Sequence, residues 1–179
     1  MRVQKIGLEH PMRVEEIPGP VPEAGELRVR VEAAGVNPHE IAVRDGSHPL
    51  AQAKDYPYIC GMDLAGTVEA VGPGVPAEGP GGFVPGHRVW GRSSKGAYAE
   101  RAILAAATSG RLPDRYSFNE GACLPVPLFT AWCALVLMAE ARAGETVLVQ
   151  GGAGGVGQVA IQLAKRMGCR VLATVSTEE

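Results

Sequence analysis

The chain has 179 residues, of which 46% are hydrophobic and 20% charged, and 17 Lys and Arg against 19 Asp and Glu leave a formal charge of −2. That is the composition of a soluble globular protein, and a charge so near zero excludes a nucleic-acid binder relying on a broad basic surface. No apolar run reaches the ~18 residues of a membrane span, and Met1-Arg2-Val3-Gln4-Lys5 lacks the apolar stretch of a signal peptide, so a cytoplasmic protein is expected.

The first 105 or so residues read as short strands separated by Gly and Pro. Glu26–Glu32 alternates apolar and charged residues, the period of a half-buried strand. Asn37, Pro38 and Glu40 then form a helix start: Asn at the N-cap, Pro at the first helical position and an acid facing the positive end of the dipole. Gly46 closes that helix about two turns later. Leu64–Val71 is a second strand, followed by an irregular loop through Pro76, Pro80, Gly81, Gly82 and Pro85. Further strands are expected at Arg88–Trp90 and Ala97–Ile103, giving a small barrel or sandwich. Ser117 and Glu120 make a capping box. It leads into an apolar stretch broken by Pro125 and Pro127 and restarted through Thr130–Leu135.

The pattern changes at Gly144. Thr146–Gln150 is a short apolar run suited to a strand covered on both faces. Gly151–Gly157 follows, then Val156, Val159, Ala160, Leu163 and Met167 recur at helical spacing. Gly168 sits at the C-cap, and Arg170–Val175 reads as another strand. Strand, turn, helix and strand make a βαβ unit.

Gly152, Gly154 and Gly157 match G-x-G-x-x-G in the strand-to-helix context that a dinucleotide fingerprint requires. The first glycine would allow the tight turn, the second close approach to a pyrophosphate, and the third packing of helix on strand. Backbone N–H groups of Gly154, Gly155 and Val156 would face the anion, helped by the helix dipole. The competing reading is a strand-to-helix turn that binds nothing. An acid at the tip of the next strand would favour NAD. The strand instead ends at Val175-Ser176-Thr177, and Ser176 can hydrogen-bond a 2′-phosphate, so NADP(H) is the expected cofactor unless Glu178 folds back.

Cys60, Cys123, Cys133 and Cys169 show no C-x-x-C spacing, and His10, His39, His48 and His87 no H-x-x-x-H, so no metal site is expected. The cysteines read as small buried hydrophobes or bystanders.

Ala34-Gly35-Val36-Asn37-Pro38, Gly61–Val68, Gly86–Val89, Gly96–Glu100, Leu124-Pro125, Thr130-Ala131 and Gly151–Gly157, in this order, resemble the medium-chain dehydrogenase/reductase superfamily. The resemblance is to its zinc-independent quinone oxidoreductase branch and covers essentially the whole chain. It implies a mixed α/β fold: a GroES-like β-barrel domain over 1–125, then the start of a Rossmann-type parallel domain over 126–179, with the active site in the cleft between them. Only about two of six parallel strands are present, so the chain is expected to be truncated. Zinc-dependent relatives carry Cys at the position of Asn37 and His at that of Met62, and neither an amide nor a thioether suits zinc.

The implied chemistry is hydride transfer from NADPH to a quinone or other α,β-unsaturated carbonyl, where charge moves onto a conjugated oxygen without a Lewis acid. Asn37 would hydrogen-bond the nicotinamide ribose or the substrate oxygen, or serve only as an N-cap. Thr130 would pack beside the nicotinamide or be a buried helical hydroxyl. His39 and Arg44 would face the cleft or serve surface and capping roles. Many relatives carry Tyr at the position of Ala42, so the proton donor falls to solvent or His39. The alternatives are an enoyl-thioester reductase and a non-catalytic module. The expected partner is a small molecule, with no nucleic acid and no membrane, and the full-length form is expected to be a homodimer.

Overall fold

The computed structural model describes residues 1–52 and 55–176. The chain divides into two compact units, Met1–Pro125 and Val126–Glu179.

In the first unit, alternation builds the sheet. Strand β1 (Arg2–Val3) precedes β2 (Glu26–Ala34), in which Leu27 and Val29 are fully buried while Arg28 and Arg30 face outward. Helix α1 (Pro38–Asp45) follows, then β3 (Tyr58–Ile59), β4 (Asp63–Val71), β5 (Arg88–Arg92), β6 (Arg101–Ala105) and β7 (Gly110–Arg111). Among these, β6-β2-β4-β5-β7 form a five-stranded antiparallel sheet, and β1 pairs antiparallel with β3. Register shifts at Arg28/Val29 and Val31/Ala33 mark bulges in the β2–β4 ladder, the device that bends a strand. Leu27, Val29, Leu64, Val68, Val89 and Leu104 form the core, and Phe83 from the 72–87 loop is buried among them. Outside the core, Glu69 pairs with Arg28 at 3.3 Å and Arg101 at 2.9 Å across three neighbouring strands.

The helix expected at Asn37 is present, and Gly46 closes it at φ +91°. Ser117 caps α2 (Phe118–Ala122), accepting the Glu120 N–H at 3.2 Å while the Glu120 carboxylate takes the Ser117 N–H at 2.7 Å.

Two expected boundaries change. Residues 97–100 are bends rather than strand, because the Ala97 and Tyr98 N–H groups donate to Cys60 and Gly61 carbonyls instead of a ladder partner, so β6 starts at Arg101. Pro125 and Pro127 do not break the apolar stretch but open helix α3 (Pro125–Trp132). Both fall in its first turn, where a missing N–H costs no intrahelical bond. A π-helical stretch, Cys133–Met138, continues it.

The second unit holds β8 (Thr146–Val149), α4 (Gly155–Arg166) and β9 (Arg170–Ala173), with β8 and β9 parallel. Small residues on the inner face of α4, Gly157, Ala160 and Ala164, let it lie close on the strands. Ala131, Leu135, Val149 and Cys169 complete this core. Thus Cys60 and Cys169 are buried as expected, whereas Cys123 and Cys133 are exposed, and all four are free thiols.

Candidate functional site

The glycine-rich turn links β8 to α4, and its shape is fixed by what the backbone must approach. Gly151, at φ +68°, and not Gly152, makes the left-handed turn. A Cβ on Gly152 would sit 2.9 Å from that of Ala173, so Gly152 serves close packing on β9. A Cβ on Gly157 would run into the Gly151 carbonyl oxygen, which only glycine allows. The turn is tied to β9 by Thr174, whose Oγ1 accepts the Gly151 N–H at 3.2 Å and whose carbonyl accepts the Gly152 N–H at 2.8 Å.

This hydrogen bonding revises the expected donor set. The Gly154 N–H already donates to the Gly151 carbonyl at 3.0 Å, so it is not offered to an anion. The first i→i−4 bond of α4 comes from Gln158 to Gly154, at 2.9 Å. Gly155, Val156 and Gly157 therefore have N–H groups without an i−4 acceptor, and Gly155 and Val156 are exposed. With the positive end of the α4 dipole behind them, they form a cradle suited to a phosphate or pyrophosphate.

The first unit contains a buried polar cluster at the start of α1. Asp63 is 1% exposed and Glu40 6%, both unusual for carboxylates and affordable only with hydrogen-bond partners. Asn37 Nδ2 donates to Asp63 Oδ2 at 3.0 Å and to Glu40 Oε1 at 3.4 Å. Glu40 also accepts the Met62 N–H at 3.0 Å, the Asn37 N–H, and the Tyr98 hydroxyl at 3.5 Å. Desolvation, then the neighbouring Glu40 charge, push the Tyr98 phenol far above its ordinary range. Beside this cluster lies a cavity of about 220 Å³ lined by His39, Glu40, Tyr58, Cys60, Met62 and Arg92. Burial pushes the Tyr58 phenol up to about 12. A larger groove of about 610 Å³, between residues 14–20 and the Lys95–Ile103 segment, contains none of the expected site residues.

The structure thus brings Gly152, Gly154, Gly155, Val156 and Gly157 together in one turn and places Asn37 in the first unit, at the cluster. Thr130 lies on α3 with an exposed side chain, which corrects its reading as a buried hydroxyl. Ser176 is exposed, three residues past the end of β9, and Thr177, Glu178 and Glu179 lie outside the described residues. Arg44 is not among the residues lining the cavity and donates to the His10 carbonyl at 3.1 Å. Sequence reasoning missed Asp63, Tyr98 and Thr174. Asp63 carried a signal, since an acid opening a strand that otherwise reads Leu-Ala-Gly-Thr-Val must be satisfied inside. Among the described residues no group of three or more His, Cys, Asp or Glu is placed to hold a metal ion, and no helix is long and apolar enough to cross a membrane.

Residues 23–127 match the alcohol dehydrogenase GroES-like domain. The chain belongs to this family. Its resemblance to the medium-chain dehydrogenase/reductase superfamily accords with that membership. This GroES-like family member is 40% identical to the quinone oxidoreductase of Sus scrofa over 181 residues, which cover 100% of this chain and 53% of the relative. The quinone oxidoreductase of Thermus thermophilus, solved also in complex with NADPH, aligns with a TM-score of 0.79 at 33% identity, over 99% of this chain and 53% of that one. The CurK enoyl reductase aligns with a TM-score of 0.83 at 26% identity, over 98% of this chain and 54% of that one. The chain spans about half the length of the curated relatives it matches.

Proposed function

We propose that the protein is an NADPH-dependent oxidoreductase that reduces a quinone or other α,β-unsaturated carbonyl without zinc. The observation that carries this reading is the turn between β8 and α4, with bare glycine backbone and two exposed first-turn N–H groups, in a chain similar to quinone oxidoreductases. NADPH, when bound, supplies the hydride. Gly155 and Val156 hold the pyrophosphate through their N–H groups, Gly154 presents backbone without a side chain, and Gly152 and Gly157 keep the turn tight. Ser176 takes the 2′-phosphate. Thr130 packs beside the nicotinamide, and Asn37 hydrogen-bonds the ribose or the acceptor.

Independence from zinc is supported by residue chemistry. Asn37 gives its amide N–H groups to Asp63 and Glu40, and Met62 offers a thioether that lies 3.6 Å from the Arg92 guanidinium. A hard or borderline cation has little to bind in either. A conjugated acceptor needs no metal, because its negative charge develops on an oxygen that hydrogen-bond donors can stabilise. The similarity to an enoyl reductase favours one second reading, an enoyl-thioester as the acceptor.

The test is an assay of the full-length protein, which we expect to be a homodimer, with NADPH and NADH against quinone and enoyl-thioester panels. NADPH-linked quinone reduction, unaffected by chelators, is the expected result. A preference for enoyl-thioesters selects the second reading, and inertness toward both leaves a non-catalytic module.

A further inference from the structure

The buried cluster at the start of α1 constrains what Asn37 can do. An amide side chain is two-faced: its NH2 donates and its oxygen accepts, and a half-turn about its terminal torsion exchanges them. Here two carboxylates settle the orientation. Asp63 Oδ2 lies 3.0 Å from Asn37 Nδ2 and Glu40 Oε1 lies 3.4 Å from it, on two buried side chains. The reversed amide would set its oxygen against both carboxylate oxygens in a poorly solvated site, where such repulsion is least screened. Glu40 cannot swing away to relieve it, because the Met62 N–H, the Asn37 N–H and the Tyr98 hydroxyl hold the same carboxylate from three sides.

We propose that Asp63 and Glu40 are positioning residues that engage the Asn37 NH2 and make Asn37 an acceptor toward ligand. The inference rests on the functional reading above and sharpens it. An acceptor oxygen takes a hydroxyl, such as that of a ribose. It cannot donate to the carbonyl oxygen of a quinone or enone, nor to the enolate or quinol oxygen that reduction would develop there. Of the two roles open to Asn37, the structure therefore assigns the sugar hydroxyl. Stabilisation of the acceptor oxygen falls to another donor.

The test is a double-mutant cycle with Asn37→Asp, Asp63→Asn and the exchange of both. The exchange keeps the charge count, one amide–carboxylate hydrogen bond and an acceptor oxygen at position 37. Each single variant should weaken NADPH binding by about tenfold, the loss of one hydrogen bond involving a charged group. The exchange should bind more tightly than either single variant. In steady state, Asp63→Asn should raise the KM for NADPH and leave that for the quinone unchanged. Ligand-free melting temperatures should show the same non-additive pattern, and Glu40→Gln, which is isosteric, should lower NADPH affinity in the same direction if Asp63→Asn fails to fold.

Additive effects in the ligand-free cycle, an Asp63→Asn variant that binds NADPH as the parent does, or a rise confined to the quinone KM would each overturn the assignment. If the parent protein binds neither NADPH nor NADH, the functional reading fails, and the ligand-free cycle still decides the amide pairing.

Discussion

Tyr98 shows how one side chain joins a strand-less bend to the cluster beneath it. Gly61, at φ +87°, leaves the space its ring occupies, and its hydroxyl donates to the Gly35 carbonyl at 3.2 Å as well as approaching Glu40. Its phenol and that of Tyr58 are both held protonated beyond the ordinary value of 10.0. The folded state therefore binds more protons than the unfolded one once pH exceeds about 10, and stability falls as pH rises through that window. Melting temperatures measured from about pH 9 to about pH 11.5 should decline steeply for the parent and less steeply for Tyr98→Phe, which removes one of the two shifted phenols. Equal slopes would show that Tyr98 ionises normally in the folded protein.

At this scale the sequence was read best where backbone geometry dominates. Asn37, Pro38 and Gly46 announced α1 because capping chemistry is local. Tyr98 went unread because its partner Glu40 lies 58 positions away and nothing local points to it, whereas the acid at Asp63 signals that a partner is needed but not that it is Asn37, 26 positions away.

Among the elements, β2 and α4 were legible because burial on one face writes a period into the sequence. Thus Leu27 and Val29 alternate with arginines, and Ala160 and Ala164 stand four apart on the inner face of α4. The 97–103 segment misled because Ala97-Tyr98-Ala99 has strand-like alternation, yet Gly96, at φ +103°, turns it against Ile59 and its N–H groups go to Cys60 and Gly61. Pro125 and Pro127 misled in the opposite sense, since two prolines two apart break a helix interior but are harmless in a first turn. The turn between β8 and α4 makes a stricter demand. Gly157→Ala places a methyl group against the Gly151 carbonyl, and either the turn or the helix must shift. The expected cost is roughly 1–3 kcal/mol, the range for overpacking a closely fitted site. Chemical denaturation should show it as a lower midpoint with an unchanged m-value, whereas a parent-like midpoint would show that the turn has room to spare.

For the molecule as a whole, composition excluded more than it established, and the fold class came from the change at Gly144, where antiparallel strands give way to strand, turn, helix and parallel strand. Outer-face residues of that parallel pair, Leu148 and Leu172, are 58% and 46% exposed, although parallel sheets ordinarily have both faces covered. The chain spans about half the length of its curated relatives, so its chemistry is best tested first at the turn itself.

Gly155 is the first residue of α4, its preceding residue Gly154 has φ −74° and ψ 163°, and a Cβ there meets only the Pro127 ring at 3.8 Å. Proline fits a first helical position after an extended residue and deletes its N–H without costing a helix bond. NADPH titrated into the parent, Gly155→Ala and Gly155→Pro is the most direct measurement. The alanine variant should bind within about threefold of the parent, and the proline variant about tenfold or more weakly at an undiminished melting temperature. Equal affinity for the proline variant would contradict an anion held by these amides.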